Sequence, residues 1–294
     1  MREPAASHVL AVDVGGTKTL IGAVNSTGVI SGEWTQPTRV GGDDIDRVAT
    51  FIAGVAAQTR PAAIGGGFPE YVDAGGALTS HEVLTWEHQP SAAISEALAD
   101  CGLGSLPLAI ESDVRLGALG EACYGAGRGA SSFLYVSLGT GLSSTLVIDG
   151  VPWPGARGEA IALGEFDAPE GNLESYASGS GITMRYAALS GIQASGEEIV
   201  RAARSGDDCA AGVLRTAGKA LGDAIAFAVG LIDPQLVVLG GGLGTADTPV
   251  TQQALQRYCQ RMERRGAARW VSAACGHRSG LLGGAAAAWR ALGP

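Results

Sequence analysis

His8-Val9-Leu10-Ala11-Val12-Asp13-Val14-Gly15-Gly16-Thr17-Lys18-Thr19-Leu20-Ile21-Gly22-Ala23-Val24 reads as an apolar run, a turn of small and charged residues, and a second apolar run. Two strand-length runs joined this tightly predict a hairpin. Its turn offers backbone N–H groups at Gly15, Gly16 and Thr17, a hydroxyl at Thr17 and a cation at Lys18, which together suit a phosphate cradle. Asp13, at the end of the first strand, is suited to hold a Mg²⁺ through the ion's water shell. Read alone, the segment also fits an ordinary hairpin with a glycine turn, the lesser of the two readings.

The pattern recurs. Ser132-Phe133-Leu134-Tyr135-Val136-Ser137-Leu138 predicts a strand, Gly139-Thr140-Gly141 a second small-residue turn, and residues 142–148 the returning strand, closed by Asp149-Gly150. A repeated strand, turn and strand implies two related halves serving one nucleotide. Gly240-Gly241-Gly242 follows the apolar strand Leu236-Val237-Val238-Leu239. Without Cβ atoms, such a run lets a flat base or a ribose approach the backbone closely.

Composition narrows the class. The 294 residues suffice for one large or two medium domains, and the duplicated hairpins favour two. Twenty Lys and Arg against 29 Asp and Glu give a net charge of −9 without a basic run, which argues against nucleic acid. There is no apolar stretch of membrane-spanning length, and Met1-Arg2-Glu3-Pro4 lacks the apolar core of a leader, so a cytoplasmic protein without a membrane partner is expected. Five scattered cysteines without a CxxC pair read as reduced thiols, and the four histidines show no metal spacing.

Between the glycine turns the chain alternates strands and helices. Residues 29–35 predict a third strand, and residues 43–58 a helix with Ile45, Val48, Ile52 and Val55 on one face and Asp residues in its first turn. Ala62-Ala63-Ile64-Gly65-Gly66-Gly67-Phe68-Pro69 reads as a strand ending in a glycine loop, the kind of strand end where ligands bind. A helix over residues 91–99 and a strand over 106–110 follow. That strand leads through Glu111-Ser112-Asp113 into an Ala- and Leu-rich helix at residues 114–121. Asp113 thus stands where a strand becomes a helix, either as an N-cap or as a general base at the carboxyl end of a sheet. Helices are expected at residues 182–189, 197–204 and 210–231, and a small-residue helix at 283–292. Gly125-Ala126-Gly127-Arg128-Gly129-Ala130 follows a helix and precedes a strand, the reverse of a dinucleotide fingerprint, and no P-loop run is present.

On these residues the chain resembles the ROK group of sugar kinases, within the actin, hexokinase and Hsp70 superfamily of ATPases. Asp13-Val14-Gly15-Gly16-Thr17-Lys18 resembles the family's first phosphate motif, Leu138-Gly139-Thr140-Gly141 its second, and Leu239-Gly240-Gly241-Gly242 its adenosine motif. Asp113 falls at the family's catalytic aspartate, in a segment whose helix ends in Gly120-Glu121, and Leu173-Glu174-Ser175-Tyr176-Ala177-Ser178-Gly179 is similar to an element whose Glu contacts the sugar. The resemblance implies an α/β, two-lobed actin-like (ribonuclease H-like) fold with duplicated mixed sheets and a cleft between the lobes. A smaller N-terminal lobe at residues 1–113, completed by the C-terminal helix at 281–294, and a larger lobe at 114–280 are expected.

The departures from the family pattern concern the acceptor. Ser112 replaces an Asn beside the catalytic Asp. With Gly155-Ala156-Arg157-Gly158 matched to the family's glycine spacing, Ala162 stands where a sugar-binding Glu is expected and Glu165 where a His follows Gly164. A rival register matches Gly158-Glu159 to the family's Gly-Glu. The zinc loop of the family is shortened to Phe166-Asp167-Ala168-Pro169-Glu170-Gly171-Asn172, with neither Cys nor His, so no zinc site is expected.

The expected activity is transfer of the γ-phosphoryl of ATP, with Mg²⁺, to a hydroxyl of a sugar or polyol. Asp113 would be the base, and Gly67, Ser112, Glu165 and Glu174 would line the acceptor pocket. The resemblance also implies a homodimer. Two rivals belong to other classes: a non-catalytic sugar sensor, which needs a separate DNA-binding partner because few residues precede the first strand, and an ATPase without a sugar acceptor.

Overall fold

The computed structural model describes residues 8–42, 44–264 and 266–293. Two readings made above, the leader test on Met1-Arg2-Glu3-Pro4 and the helix start at Asp43, lie outside the described residues. The described chain is α/β and falls into two compact units. The first takes the chain up to Arg128, Gly150–Ala160 and everything from Arg278 onward; the second is Gly129–Asp149 with Ile161–His277.

The first unit holds strands β1 (Val9–Val14), β2 (Lys18–Val24), β3 (Ile30–Pro37), β4 (Gly41–Gly42), β5 (Ile64–Phe68), β6 (Thr85–Trp86), β7 (Leu108–Ser112) and β10 (Val151–Pro152). Its helices are α1 (Asp44–Thr59), α2 (Pro90–Asp100), α3 (Asp113–Tyr124) and α9 (Ser279–Ala291). Its main sheet runs β3-β2-β1-β5-β7, with β1 antiparallel to β2 and parallel to β5, and β5 parallel to β7. Strand periodicity explains why β1 is apolar throughout. Leu10, Val12 and Val14 pack with Ile45, Val48 and Ile52 of α1, while Val9 and Ala11 point the other way, onto Leu281, Ala285 and Ala288 of α9.

Two expectations change in this unit. Gly65, Gly66 and Gly67 lie inside β5 and do not form a loop. Contact with α9 explains Gly65: a Cβ there would overlap the Gly284 carbonyl, and one on Gly284 would come within 2.9 Å of the Gly65 carbonyl oxygen. Gly67 is instead crowded by Leu116 of α3. The boundary of the unit also falls after Arg128 and not at Asp113. Helix α3 packs along α9, where the buried Glu121 carboxylate accepts from Ser279 Oγ (3.0 Å) and from the Ala126 N–H (2.8 Å). The return of Gly150–Ala160 to this unit is fastened by Arg115, whose Nη1 donates to the Gly158 carbonyl at 3.0 Å.

The second unit holds β8 (Ser132–Leu138), β9 (Leu142–Ile148), β11 (Asp167–Ala168), β12 (Gly171–Asn172), β13 (Leu236–Gly240) and β14 (Arg269–Ser272). Its helices are α4 (Leu173–Ala177), α5 (Gly179–Ser190), α6 (Gly196–Arg204), α7 (Asp208–Ile232) and α8 (Pro249–Met262). Strands run in the order β9-β8-β13-β14, with β8 antiparallel to β9 and parallel to β13. Val213, Leu214, Ala217, Leu221 and Ile225 of α7 recur at helical spacing and enter a core with Leu134, Val136 and Val237. Each unit therefore opens on the same motif, a tight antiparallel hairpin whose first strand continues into a parallel neighbour. No helix among the described residues is long and apolar enough to cross a membrane.

Candidate functional site

In the first unit, parallel pairing brings three strand ends to one level. Asp13 pairs with Gly67, Gly67 with Glu111, and Phe68 with Ser112, so the carboxyl ends of β1, β5 and β7 lie side by side. Such an edge is where α/β sheets bind ligands. The turn between β1 and β2 closes through the Gly15 N–H donating to the Lys18 carbonyl at 2.9 Å. Thr17 and Lys18 are exposed, and Gly15 and Gly16 half-buried.

The strand-to-helix corner resolves the two readings of Asp113. Ser112 is the N-cap of α3, its Oγ accepting from the Arg115 N–H, and Asp113 is the first helical residue. The capping role thus belongs to Ser112, which is buried with its hydroxyl engaged in the cap. Asp113 is left with one backbone bond, its Oδ1 accepting from Val114 N–H at 2.6 Å. Burial pushes the Asp113 carboxyl up to about 7; the nearby Asp13 and Glu70 add to the shift and the Val114 bond opposes it. Asp13 is also raised by burial, against the pull of Lys18. The vacant Cβ position of Gly280, in the first turn of α9, lies 3.3 and 3.4 Å from the two Asp13 carboxylate oxygens. A carboxylate kept basic by burial, beside a glycine turn and a helix N-terminus, is a donor whose ionised form a cation would favour, so the residues fit Mg²⁺.

Gly67 touches this corner directly. A Cβ there would come within 2.9 Å of Leu116 Cδ1 and 3.6 Å of Asp113 Cα. Glu111 is raised by burial and opposed by Arg115, whose Nε donates to Glu111 Oε1 at 2.5 Å. Arg115 also donates to the Val72 carbonyl. Neither Arg115 nor Glu70 figured among the residues expected from sequence. The signal available for both was position alone, two residues beyond Asp113 and three beyond Gly67.

The second unit gathers the other glycine turns. The Gly139 N–H donates to the Gly141 carbonyl (2.9 Å), and the carbonyls of Gly139 and Thr140 accept from Gly179 N–H (2.8 Å) and Ser180 N–H (3.0 Å) at the start of α5. The third turn lies beside it. Leu243 and Gly244 donate to the Leu138 carbonyl, and the vacant Cβ position of Gly139 is 4.0 Å from Gly242 N. Gly241, at φ +79°, has no room for a Cβ against the Leu138 backbone. Two narrow glycine surfaces side by side form a cradle that side chains would fill.

Glu174 borders the same turn. Its Oε2 accepts from Leu142 N–H at 2.7 Å and stands 2.9 Å from the vacant Cβ position of Gly141. Glu165 is exposed and accepts from Asn172 Nδ2 at 3.3 Å, in the hairpin of β11 and β12. Glu159, the carboxylate of the rival register, belongs to the first unit, where it pairs with Arg157 at 3.1 Å. Glu174→Ala is expected to lower stability in urea unfolding by about 2 kcal/mol, because a part-buried N–H loses a charged acceptor. An unchanged midpoint would show that the bond does not brace the turn.

The structure thus gathers Asp13, Gly15, Gly16, Thr17, Lys18, Gly67, Ser112 and Asp113 in one unit. It gathers Gly139, Thr140, Gly141, Glu165, Glu174, Gly240, Gly241 and Gly242 in the other.

A family model described as the ROK family matches residues 9–291. The bifunctional enzyme NanE/NanK of Brucella melitensis is 32% identical over 247 residues, which is 82% of this chain and 46% of that protein, so the chain spans about half the length of this curated relative. The crystal structure of a ROK hexokinase from Thermus thermophilus superposes with a TM-score of 0.83 at 27% identity, covering 96% of this chain and 97% of that one. A ROK family glucokinase from Streptomyces griseus, solved in complex with glucose and AMPPNP, superposes with a TM-score of 0.78 at 26% identity, over 96% and 99% of the two chains.

Proposed function

The chain belongs to the ROK family, and from that premise we propose that it is an ATP-dependent kinase for a hydroxyl of a sugar or sugar-like small molecule. One observation carries the reading: Asp113, raised to about 7, stands at the end of β7 on the sheet edge that also bears Asp13 and its glycine turn. A base with that affinity is ionised above neutrality and still accepts a proton readily.

In the proposed reaction, Asp113 takes the proton of the acceptor hydroxyl. The freed oxygen bonds to the γ-phosphorus as the bond from that phosphorus to the β–γ bridging oxygen breaks, and ADP leaves with the electron pair. The amides around residues 15–17, Lys18 and Thr140 stabilise the charge on the phosphoryl oxygens. Gly240, Gly241 and Gly242 serve the adenosine. Asp13 would hold Mg²⁺ through its water shell, and the ion supplies charge neutralisation at the phosphates when bound.

Gly67, Glu174 and Glu165 are assigned to the acceptor; Ser112 contributes by capping α3 behind the base. Ala162 and Glu165 occupy positions where the resemblance sets a sugar-binding Glu and His. A site built on buried hydrogen bonds discriminates strongly, so these replacements separate this chain's acceptor preference from that of a glucokinase. The test is an ADP-release assay over hexoses, amino sugars, N-acetylated sugars and polyols. At least one acceptor is expected to raise ADP release well above the rate with ATP alone. ATP hydrolysis that no acceptor stimulates would favour an ATPase, and absence of any turnover with retained sugar binding would favour a sensor.

A further inference from the structure

Glu70 is 5% exposed, yet it is surrounded by hydrogen-bond donors. Its Oε1 accepts from Val83 N–H (2.7 Å) and Leu84 N–H (2.6 Å), and its Oε2 from Glu82 N–H (2.8 Å) and Ser80 Oγ. Three consecutive backbone amides and a hydroxyl converge on one carboxylate. Ser80 Oγ in turn accepts from Tyr71 N–H at 2.9 Å, so its proton is free to go to Glu70. Residues 80–84 contain no regular element of their own and are shaped by this side chain.

The segment continues to the glycine turn. Thr85 N–H donates to the Val40 carbonyl at 2.6 Å, β6 pairs in parallel with β4, and Trp86 Nε1 donates to the Arg39 carbonyl at 2.9 Å. Val83 and Val40 remain 39% and 42% exposed. Their Cγ1 atoms lie 3.3 and 3.7 Å from the position a Cβ would take on Gly16. Two valines, each partly covered and partly open to solvent, are thus set against the middle of the first turn.

We propose that Glu70 is a positioning residue for the first phosphate turn: it folds residues 80–84 into a brace that presses Val83 onto Gly16. All four acceptor positions of the carboxylate are spent on that brace, so Glu70 makes no bond of its own to the reacting groups and reaches Asp113 only through its charge. The inference rests on the reading of residues 13–18 as a phosphate cradle. Its second arm, backbone protection of the turn, does not depend on catalysis.

The experiment compares Glu70→Ala, Glu70→Gln and Val83→Ala in the full chain, by amide hydrogen exchange without ligand and by steady-state kinetics. Glu70→Ala is expected to speed exchange by roughly tenfold or more at residues 82–84 and at the Gly15 amide, which closes the turn onto the Lys18 carbonyl. It should raise KM for ATP about tenfold while leaving KM for the acceptor within about twofold. Glu70→Gln keeps one carbonyl acceptor for Val83 and Leu84 but turns a donor toward the Glu82 N–H, so it should fall between wild type and Glu70→Ala in both readouts. Val83→Ala trims only the methyls set against Gly16 and leaves the Glu70 bonds intact; it should lower the melting temperature far less than Glu70→Ala and keep the protection at residues 82–84, yet reproduce the looser turn and the higher KM for ATP. Wild-type protection of the Gly15 amide in a folded Glu70→Ala, or wild-type behaviour of Val83→Ala in both readouts, overturns the proposal. Should Glu70→Ala fail to fold, Val83→Ala decides it. Should the wild type phosphorylate nothing, the kinase reading fails and the exchange data still judge the brace.

Discussion

Asp113→Asn is expected to lower phosphotransfer turnover by about 10²–10⁴-fold, the usual contribution of a positioned general base. Nucleotide affinity should stay near that of the wild type, because the substitution leaves the backbone groups of the phosphate and adenosine turns in place. The amide is isosteric and retains an oxygen for the Val114 N–H, so loss of turnover would report the lost proton acceptor and not a collapsed corner. The wild-type rate should fall as pH drops through about 7, where Asp113 takes up a proton, and this limb should be missing from the residual activity of the variant.

The same group has a signature in stability. Its value in the folded chain, about 7, is above the ordinary 3.8, so the folded state holds the proton more tightly than the unfolded state. The cost of the buried carboxylate is therefore absent below the ordinary value and complete above 7. Asp113→Asn should raise the melting temperature at pH 8 and change it little at pH 4. Wild-type turnover in the variant would remove Asp113 from the role of base, whatever its effect on stability.

The second large effect is expected at Gly283, far along the chain from the base. A Cβ at Gly283 would overlap the carbonyl group of Leu116, since α9 crosses α3 backbone against backbone. On its other side, Gly284 lies against Gly65 of β5 and Ala11 of β1. Helix α9 is thus wedged between α3 and the sheet with no free direction of retreat. Gly283→Val should cost more than about 4 kcal/mol, the range reserved for overpacking in a core. For a protein of this size that corresponds to a loss of roughly 10 °C or more in melting temperature, read by calorimetry. A shift within about 2 °C would mean that α9 can slide along α3, contrary to the packing described.

The parts of this protein that the chain announces locally are those whose signal is short-range. The β1–β2 and β8–β9 hairpins, the glycine turns and helix α7 could be read because period, turn chemistry and strand length act within a few residues. Helix α8 and strand β14 were not anticipated. Thr248 and Pro249 mark the start of α8 with a capping box and a first-position proline, but its buried face is only Val250, Ala254, Tyr258 and Met262 in a polar run. Strand β14 is four residues long and only half-buried; it exists because β13 offers it a partner. Sequence alone reads the glycines of β5 as a loop because glycine usually marks one; the approach of α9 to Gly65 and of Leu116 to Gly67 comes from segments distant along the chain.

The candidate site divides in the same way. Asp13, Gly15, Gly16, Thr17, Lys18, Gly139, Thr140, Gly141, Gly240, Gly241 and Gly242 are legible because a glycine turn after an apolar strand has a chemistry of its own. Asp113 was legible as a corner residue, though not which of Ser112 and Asp113 would cap the helix; that follows from the backbone path of the corner. Glu70 and Arg115 are invisible in the sequence, since the carbonyls and amides they hold belong to segments distant along the chain. By itself the sequence determined the two hairpins, the glycine surfaces and the chemical types available at each strand end, all set by local backbone preference. Only the tertiary structure decided that Asp13, Gly67 and Ser112-Asp113 share one edge and that Glu70 serves the turn at Gly16, because strand register and buried polar bonds are settled between segments, where no local propensity acts.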